Sequence, residues 1–155
     1  MPKIGMRAPD GSEDAMIGRL MFDAIHRGRS AYTAAQRRAW LAAPNSGAAW
    51  TARLAGQEVV VLRQDGRPIG VMTLKGQYID LAYISPDMQG HGLFRRLYDE
   101  IERRACASGV RRLSTHASLM AQPAFLAVGF RVIRHETVTR DGQDLPRAEM
   151  EKALA

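Results

Sequence analysis

The segment Ser85-Pro86-Asp87-Met88-Gln89-Gly90-His91-Gly92-Leu93-Phe94-Arg95-Arg96 places two glycines where an apolar helical stripe begins. The first turn of a helix has backbone N–H groups without partners and lies at the positive end of the helix dipole, and glycines let the backbone wrap closely around an oxygen. The chemistry this offers is anion binding, with phosphate as the natural ligand. On these residues alone, a structural turn before a helix uses glycine equally well. The segment lacks the Gly-Lys-Ser/Thr ending of an ATP-binding loop and does not match the Gly-x-Gly-x-x-Gly dinucleotide fingerprint.

Other chemistry-bearing side chains are sparse. Cys106 is the only cysteine, which excludes an intrachain disulfide and a thiolate metal cluster and suits a reducing cytoplasm. It stands in a helical Arg-Arg-Ala-Cys-Ala stretch with no histidine beside it and is assigned no role. His116 ends a strand-like run; imidazole titrates near neutrality and suits proton transfer, although a lone histidine serves structure as readily. Ser118 is placed to cap the next helix or to donate a proton. No metal site is expected.

The elements that must position these groups fit one domain over residues 1–155. Apolar residues make up 46% and charged residues 25%, the balance of a globular chain. No run approaches a membrane span, and the N-terminus does not read as a signal peptide. The net charge of +6 and the pI near 10.1 are compatible with nucleic acid, an acidic partner or a polyanionic small ligand. The basic residues are scattered in pairs such as Arg37-Arg38 and Arg111-Arg112 without interleaved aromatics, the pattern of a solvated surface.

Periodicity gives a short strand over Lys3–Ala8, a helix from a Ser12 cap to about His26, a second helix capped by Thr33, and a short third over Ala48–Leu54. From Glu58 the period becomes two. Val59–Leu62 and Pro68–Leu74 flank Asp65-Gly66 as a β-hairpin, and a third strand covers Tyr78–Ile84. Strict alternation would put Ile79, Leu81 and Tyr83 on one face and Asp80, Ala82 and Ile84 on the other. A long helix begins at Leu93 and ends by Gly109, a strand covers Val110–Thr115, a short helix follows Ser118, and strands cover Arg131–Thr139 and Leu145–Leu154. The order implies an α+β fold: a mixed, mostly antiparallel twisted sheet of six or seven strands with helices on both faces, its Tyr78–Thr115 strand-helix-strand unit parallel and right-handed.

The run Ile79-Asp80-Leu81-Ala82-Tyr83-Ile84-Ser85-Pro86-Asp87-Met88-Gln89-Gly90-His91-Gly92 resembles the central motif, Gln/Arg-x-x-Gly-x-Gly/Ala, of the GNAT superfamily of acetyl-CoA-dependent N-acetyltransferases. Ala117–Phe130, ending in Gly129-Phe130, is similar to the family's next helix, and the two runs make up 28 of the 155 residues. The resemblance implies that backbone N–H groups of Gln89, Gly90, His91, Gly92, Leu93, Phe94 and Arg95 hold the CoA pyrophosphate. The backbone of Ala82, Tyr83 and Ile84 would pair with the pantetheine arm where the Tyr78–Ile84 and Val110–Thr115 strands splay apart. An N–H near Tyr83 or Ile84 would polarise the thioester carbonyl. Two positions depart from the pattern. Phe94 occupies the last Gly/Ala of the signature, and Phe125, placed at the cofactor, stands where many members carry a tyrosine that protonates the departing thiolate.

Acetyl transfer to an amine needs a neutral nucleophile, so a base or relay water should be near. Asp80 is the first candidate, since the family often has an acid there; His116 is the second, and Tyr83 and Tyr78 are candidate proton donors. The expected reaction is direct attack without a covalent enzyme intermediate. Tyr32, Trp40 and Tyr78, with Trp50, would build the acceptor pocket. The acceptor is left open among a small amine, an amino acid derivative, an antibiotic and a protein terminus, and a homodimer is compatible with the family. The competing readings are a non-catalytic acyl-CoA-binding module, suggested by Phe125, and a basic nucleic-acid-binding domain.

Overall fold

Val59, Val60, Val61 and Leu62 are all buried, and such an apolar run can be satisfied only in a strand covered on both faces. The computed structural model, which describes residues 1–155, places them in the middle of one side of a seven-stranded sheet. The strands are β1 (Lys3–Met6), β2 (Glu58–Gln64), β3 (Arg67–Lys75), β4 (Tyr78–Ile84), β5 (Arg112–Ser118), β6 (Arg131–Arg140) and β7 (Gln143–Ala153), in the spatial order β1-β2-β3-β4-β5-β7-β6. Only β4 and β5 pair in parallel. The helices are α1 (Asp14–Arg27), α2 (Ala34–Trp40), α3 (Gly47–Ala55), α4 (Leu93–Ala107) and α5 (Gln122–Ala127). None is long and apolar enough to cross a membrane.

The alternation of β2 divides the core into two. Val60 and Leu62 pack with Leu93, Leu97 and Ile101 of α4 and with Phe125, Phe130 and Met150. Val59 and Val61 pack on the other face with Ile17, Leu20, Met21 and Ile25 of α1 and with Trp50 and Leu54 of α3. Trp50 is therefore core, its indole N–H donating to the Asp14 carbonyl at 2.7 Å, and it does not join an acceptor pocket. Gly18 lets the Pro44–Ser46 loop lie against α1, since a Cβ there would fall 1.9 Å from the Asn45 carbonyl oxygen.

Element boundaries differ from expectation at two ends. The chain enters α1 through Glu13 rather than a Ser12 cap, because Glu13 and Asp14 are drawn into buried ion pairs with Arg63 and Arg7. Strand β5 continues to Ser118, and Ser118 caps no helix: its Oγ accepts the Ala121 N–H at 3.2 Å in a turn that precedes α5. Thr33 does cap α2, in a reciprocal capping box with Gln36. The turns Asp65-Gly66 and Asp141-Gly142 have positive φ at both residues, the backbone of tight β-hairpins.

The largest departure is in β4. Met72 pairs with Ala82 but Leu74 pairs with Ile79, so β4 carries one extra residue at Asp80-Leu81. The bulge breaks strict alternation: Ile79 packs on the α4 side and Leu81 on the α1 side, while Ala82 and Ile84 return to the α4 side. Asp80 consequently shares its face with Leu81 and Tyr83, not with Ala82 and Ile84. The buried Thr73 hydroxyl pins the irregularity by accepting the Leu81 N–H at 3.0 Å.

Two predictions follow from this packing. Thr73→Val leaves the Leu81 N–H buried without a partner and should cost about 1–3 kcal/mol, with Thr73→Ser close to wild type, by urea denaturation. Asp14, 4% exposed at its side chain, accepts two hydrogen bonds of 2.8 Å from Arg7 and one from Thr51. The Arg7 guanidinium holds the Asp14 carboxyl below its ordinary value, and Arg63 does the same for Glu13. Stability from these pairs is complete above the ordinary carboxylate range and is lost as pH falls through the depressed values. Asp14→Asn should therefore lose about 3 kcal/mol at neutral pH and show a shallower acid limb below about pH 4 than wild type.

Candidate functional site

Strands β4 and β5 pair only at Tyr78↔Ser114 and Ile79↔Thr115. The buried Thr115 hydroxyl donates to the Ile79 carbonyl at 2.9 Å, closing the last rung. Beyond it the strands diverge, β4 staying with β3 and β5 with β7. From Asp80 onward the β5-facing edge of β4 has no strand partner, and two cavities open beside the fork.

One cavity, of about 400 Å³, lies along Ala82, Tyr83 and Ile84 and reaches Gln89, Gly90, Gly92, Leu93 and Phe94. A single 3₁₀ turn at Pro86–Met88 leads into the glycines, and Gly92, at φ 74, immediately precedes α4. No side chain caps α4, so its first N–H groups are left to a ligand or solvent. Both glycines adopt positive φ, and a Cβ added to either would meet nothing within 4 Å, which leaves the approach to the helix end open. Gln89 Nε2 donates to the Ile84 carbonyl at 3.3 Å, joining the turn to the strand.

Three residues expected at the cofactor lie outside this cavity. His91 is exposed, and Arg95 donates to the Ala127 carbonyl at 2.9 Å. Phe125 is 1% exposed, edge-on to Phe94 and Phe130 with ring centroids 5.1 and 5.0 Å apart, and so belongs to the core. Arg29 and Ser30, in the loop that follows α1, also line the cavity, which the sequence does not signal. A basic residue in a loop carries no positional information without the fold.

The other cavity, of about 370 Å³, gathers Tyr32, Trp40, Tyr78, Asp80, His116 and Ser118. Its outer wall is tied together from distant parts of the chain. The Tyr32 hydroxyl donates to the Pro146 carbonyl and accepts the Leu119 N–H at 2.9 Å, and Gln36 Nε2 donates to the Asp144 carbonyl at 2.8 Å. The Tyr32 hydroxyl is thus already committed, and its ring supplies the surface, edge-on to Trp40 at 5.5 Å. Trp40, Tyr83 and Ser118 line both cavities and form the boundary between them.

The two candidate bases differ in their surroundings. Asp80 accepts from Arg53 Nε and Nη2, each at 3.1 Å, and from Gln57 Nε2 at 2.7 Å, so its carboxylate is engaged as an anchor for α3 and the following turn. His116 lies 2.8 Å through Nδ1 from the Tyr78 hydroxyl, and its Nε2 faces Glu136 Oε1 at 3.3 Å and Glu149 Oε2 at 3.7 Å. The two carboxylates favour the hydrogen on Nε2, which leaves the Nδ1 lone pair to accept from Tyr78. Burial, reinforced by the charge of Asp80, raises the Tyr78 phenol above its ordinary value, and burial raises Tyr83, so both stay protonated. Glu136 and Glu149 had no motif to reveal them; the Asp141-Gly142 turn was the available signal, because it fixes the β6–β7 hairpin that brings them behind His116.

A mixed sheet forked between parallel strands, with a free strand edge above an uncapped helix start, defines the class: an acyltransferase fold. The Acetyltransferase (GNAT) domain model matches residues 28–154, and the chain belongs to that family. A GCN5-related N-acetyltransferase from Rhodopseudomonas palustris is 29% identical, with 99% of this chain and 96% of that one covered at a TM-score of 0.87. The acetyltransferase yncA from Salmonella typhimurium, solved with its cofactor acetyl-CoA, is 18% identical over 100% of this chain and 95% of that one, at 0.70. A phosphinothricin acetyltransferase from Sinorhizobium meliloti, in complex with acetyl-CoA, is 20% identical over 99% and 89%, at 0.74. No curated protein matches the chain in sequence. The α+β sheet expected from the sequence is the one observed, and the protein is an acetyltransferase.

Proposed function

We propose that this protein transfers an acetyl group from acetyl-CoA to a primary amine by direct attack at the boundary formed by Trp40, Tyr83 and Ser118. The observation that carries the reading is that these three residues wall both the cavity at the α4 N-terminus and the cavity holding His116. The first cavity fits the donor. Its uncapped helix start and the turn through Gly90 and Gly92 suit a pyrophosphate, Arg29 adds a cation at the rim, and the unpaired β4 edge at Ala82–Ile84 suits an amide-bearing arm. Acetyl-CoA supplies an activated thioester there.

The chain's own residues then move the protons. The acceptor amine gives up a proton to the Tyr78 oxygen as the Tyr78 hydroxyl passes its own to His116 Nδ1. Glu136 and Glu149 behind Nε2 stabilise the resulting imidazolium. Tyr83 and Ser118, at the boundary, are the groups placed to return a proton to the thiolate in the absence of a tyrosine at position 125. Asp80 holds Arg53 and Gln57 and so fixes the cavity wall rather than abstracting the proton.

His116→Ala should lower kcat in a thiol-release assay by about 100-fold or more, and Tyr78→Phe by about tenfold, with acetyl-CoA affinity held within about twofold. An equal or larger kcat loss in Asp80→Asn would transfer the base to Asp80. Gly92→Glu places a carboxylate and a strained φ at the helix start; it should weaken acetyl-CoA binding by calorimetry at least about 100-fold while costing only about 1–2 kcal/mol of stability. Unchanged affinity would remove the phosphate site from this turn. Acetyl-CoA binding without thiol release across a broad amine panel would favour a non-catalytic module.

A further inference from the structure

The charge in the His116 cavity does not suit a plain amine. Its lining holds three arginines, Arg53, Arg140 and Arg147, against Asp80, while Glu136 and Glu149 stand behind His116 and Glu149 is paired with Arg134. Arg53 is spent on Asp80 through Nε and Nη2. The other two belong to the β6–β7 hairpin, where Arg140 pairs with Gln143, Val138 with Leu145 and Glu136 with Arg147. Residues paired in this way, two apart along each strand, share one face. That face carries Glu136 toward His116 and Arg140 and Arg147 into the cavity.

Arg140 has no carboxylate partner; its hydrogen bond runs from Nη1 to the Trp40 carbonyl at 3.5 Å. Arg147 approaches Glu136, its Nε lying 3.4 Å from the oxygen that also faces His116, and that Nε makes no hydrogen bond. Arg140, which has no carboxylate partner, and the terminal Nη groups of Arg147, which make no hydrogen bond, leave this side of the cavity positive and match an oxyanion through paired N–H donors.

Resting on the acetyl-transfer reading above, we propose that the acceptor is an amine that also carries an oxyanion, a carboxylate or a phosphorus oxyacid. Arg140 and Arg147 hold the anion, the apolar wall of Met21, Leu41 and Leu81 takes an uncharged side chain, and the amine faces Tyr78. An amino acid or its phosphonate analogue has this chemistry.

The test measures thiol release with leucine, methionine, phenylalanine and ε-aminocaproate, each beside its amide, and with the phosphonate analogue of leucine. At least one acid should exceed its amide by about 100-fold in kcat/KM, mostly through KM, and Arg140→Gln and Arg147→Gln should each erase most of that ratio while acetyl-CoA affinity stays at the wild-type value. The preference between leucine and its phosphonate analogue identifies which oxyanion is meant. Amides that match or exceed every acid overturn the proposal and leave acetyl transfer standing. If no amine releases thiol, the transfer reading falls, and calorimetry of the N-acetyl acids against their N-acetyl amides on the CoA complex decides the anion site. Acid binding at least about tenfold tighter, lost in Arg140→Gln, upholds it; equal binding, or no binding of either, overturns it.

Discussion

Everything functional in this fold depends on how two parallel strands stop pairing. Pairing a further rung of β4 with β5 would satisfy more backbone groups, so the separation has to be held against that tendency. Two buried threonines hold it. Thr115 takes up the Ile79 carbonyl through its hydroxyl at the last rung, and Thr73 receives the Leu81 N–H just beyond it. Between them the extra residue in β4 turns the strand, so that the edge from Ala82 onward faces a cavity rather than a neighbour. Neither hydroxyl is exposed, and each replaces a hydrogen bond that the sheet ladder would otherwise have made.

The sequence announces one side of this arrangement much better than the other. The turn at Gln89–Gly92 is local: glycines with positive φ, a proline-started turn and an amphipathic helix stand in one contiguous run, so periodicity and turn chemistry locate it, and the family resemblance gives it a phosphate role. The His116 cavity is assembled from α1, the α2 segment, β4, β5 and a hairpin near the C-terminus, and the bonds that close it, such as Tyr32 to Pro146, span most of the chain. No spacing rule links residues so far apart. The bulge is a second kind of loss. Period-two reasoning assigned Asp80 to the wrong companions because a one-residue insertion inverts every later assignment on a strand, and nothing in Asp80-Leu81 marks it; the cause lies on the neighbouring strand, at Thr73.

The two phenylalanines that depart from the family pattern explain one another. Phe94 lines the cavity at the α4 N-terminus and meets Phe125 at right angles, and Phe125 in turn meets Phe130 in the core beneath α4. A hydroxyl at position 125 would need a partner in a place where its neighbours are aromatic rings. The absence of a phenol there and the ring at 94 thus form one packing solution.

That boundary has a thermodynamic side. Trp40, Tyr83 and Ser118 are counted in the walls of both cavities, so a ligand that orders them from one side has already met part of the ordering cost for a ligand on the other. Whatever factor donor occupancy contributes to acceptor affinity must return unchanged as the factor acceptor occupancy contributes to the donor. With donor and acceptor in the two cavities as proposed, a wall of three shared residues would make the two substrates each other's effectors, with no second conformation of the sheet required.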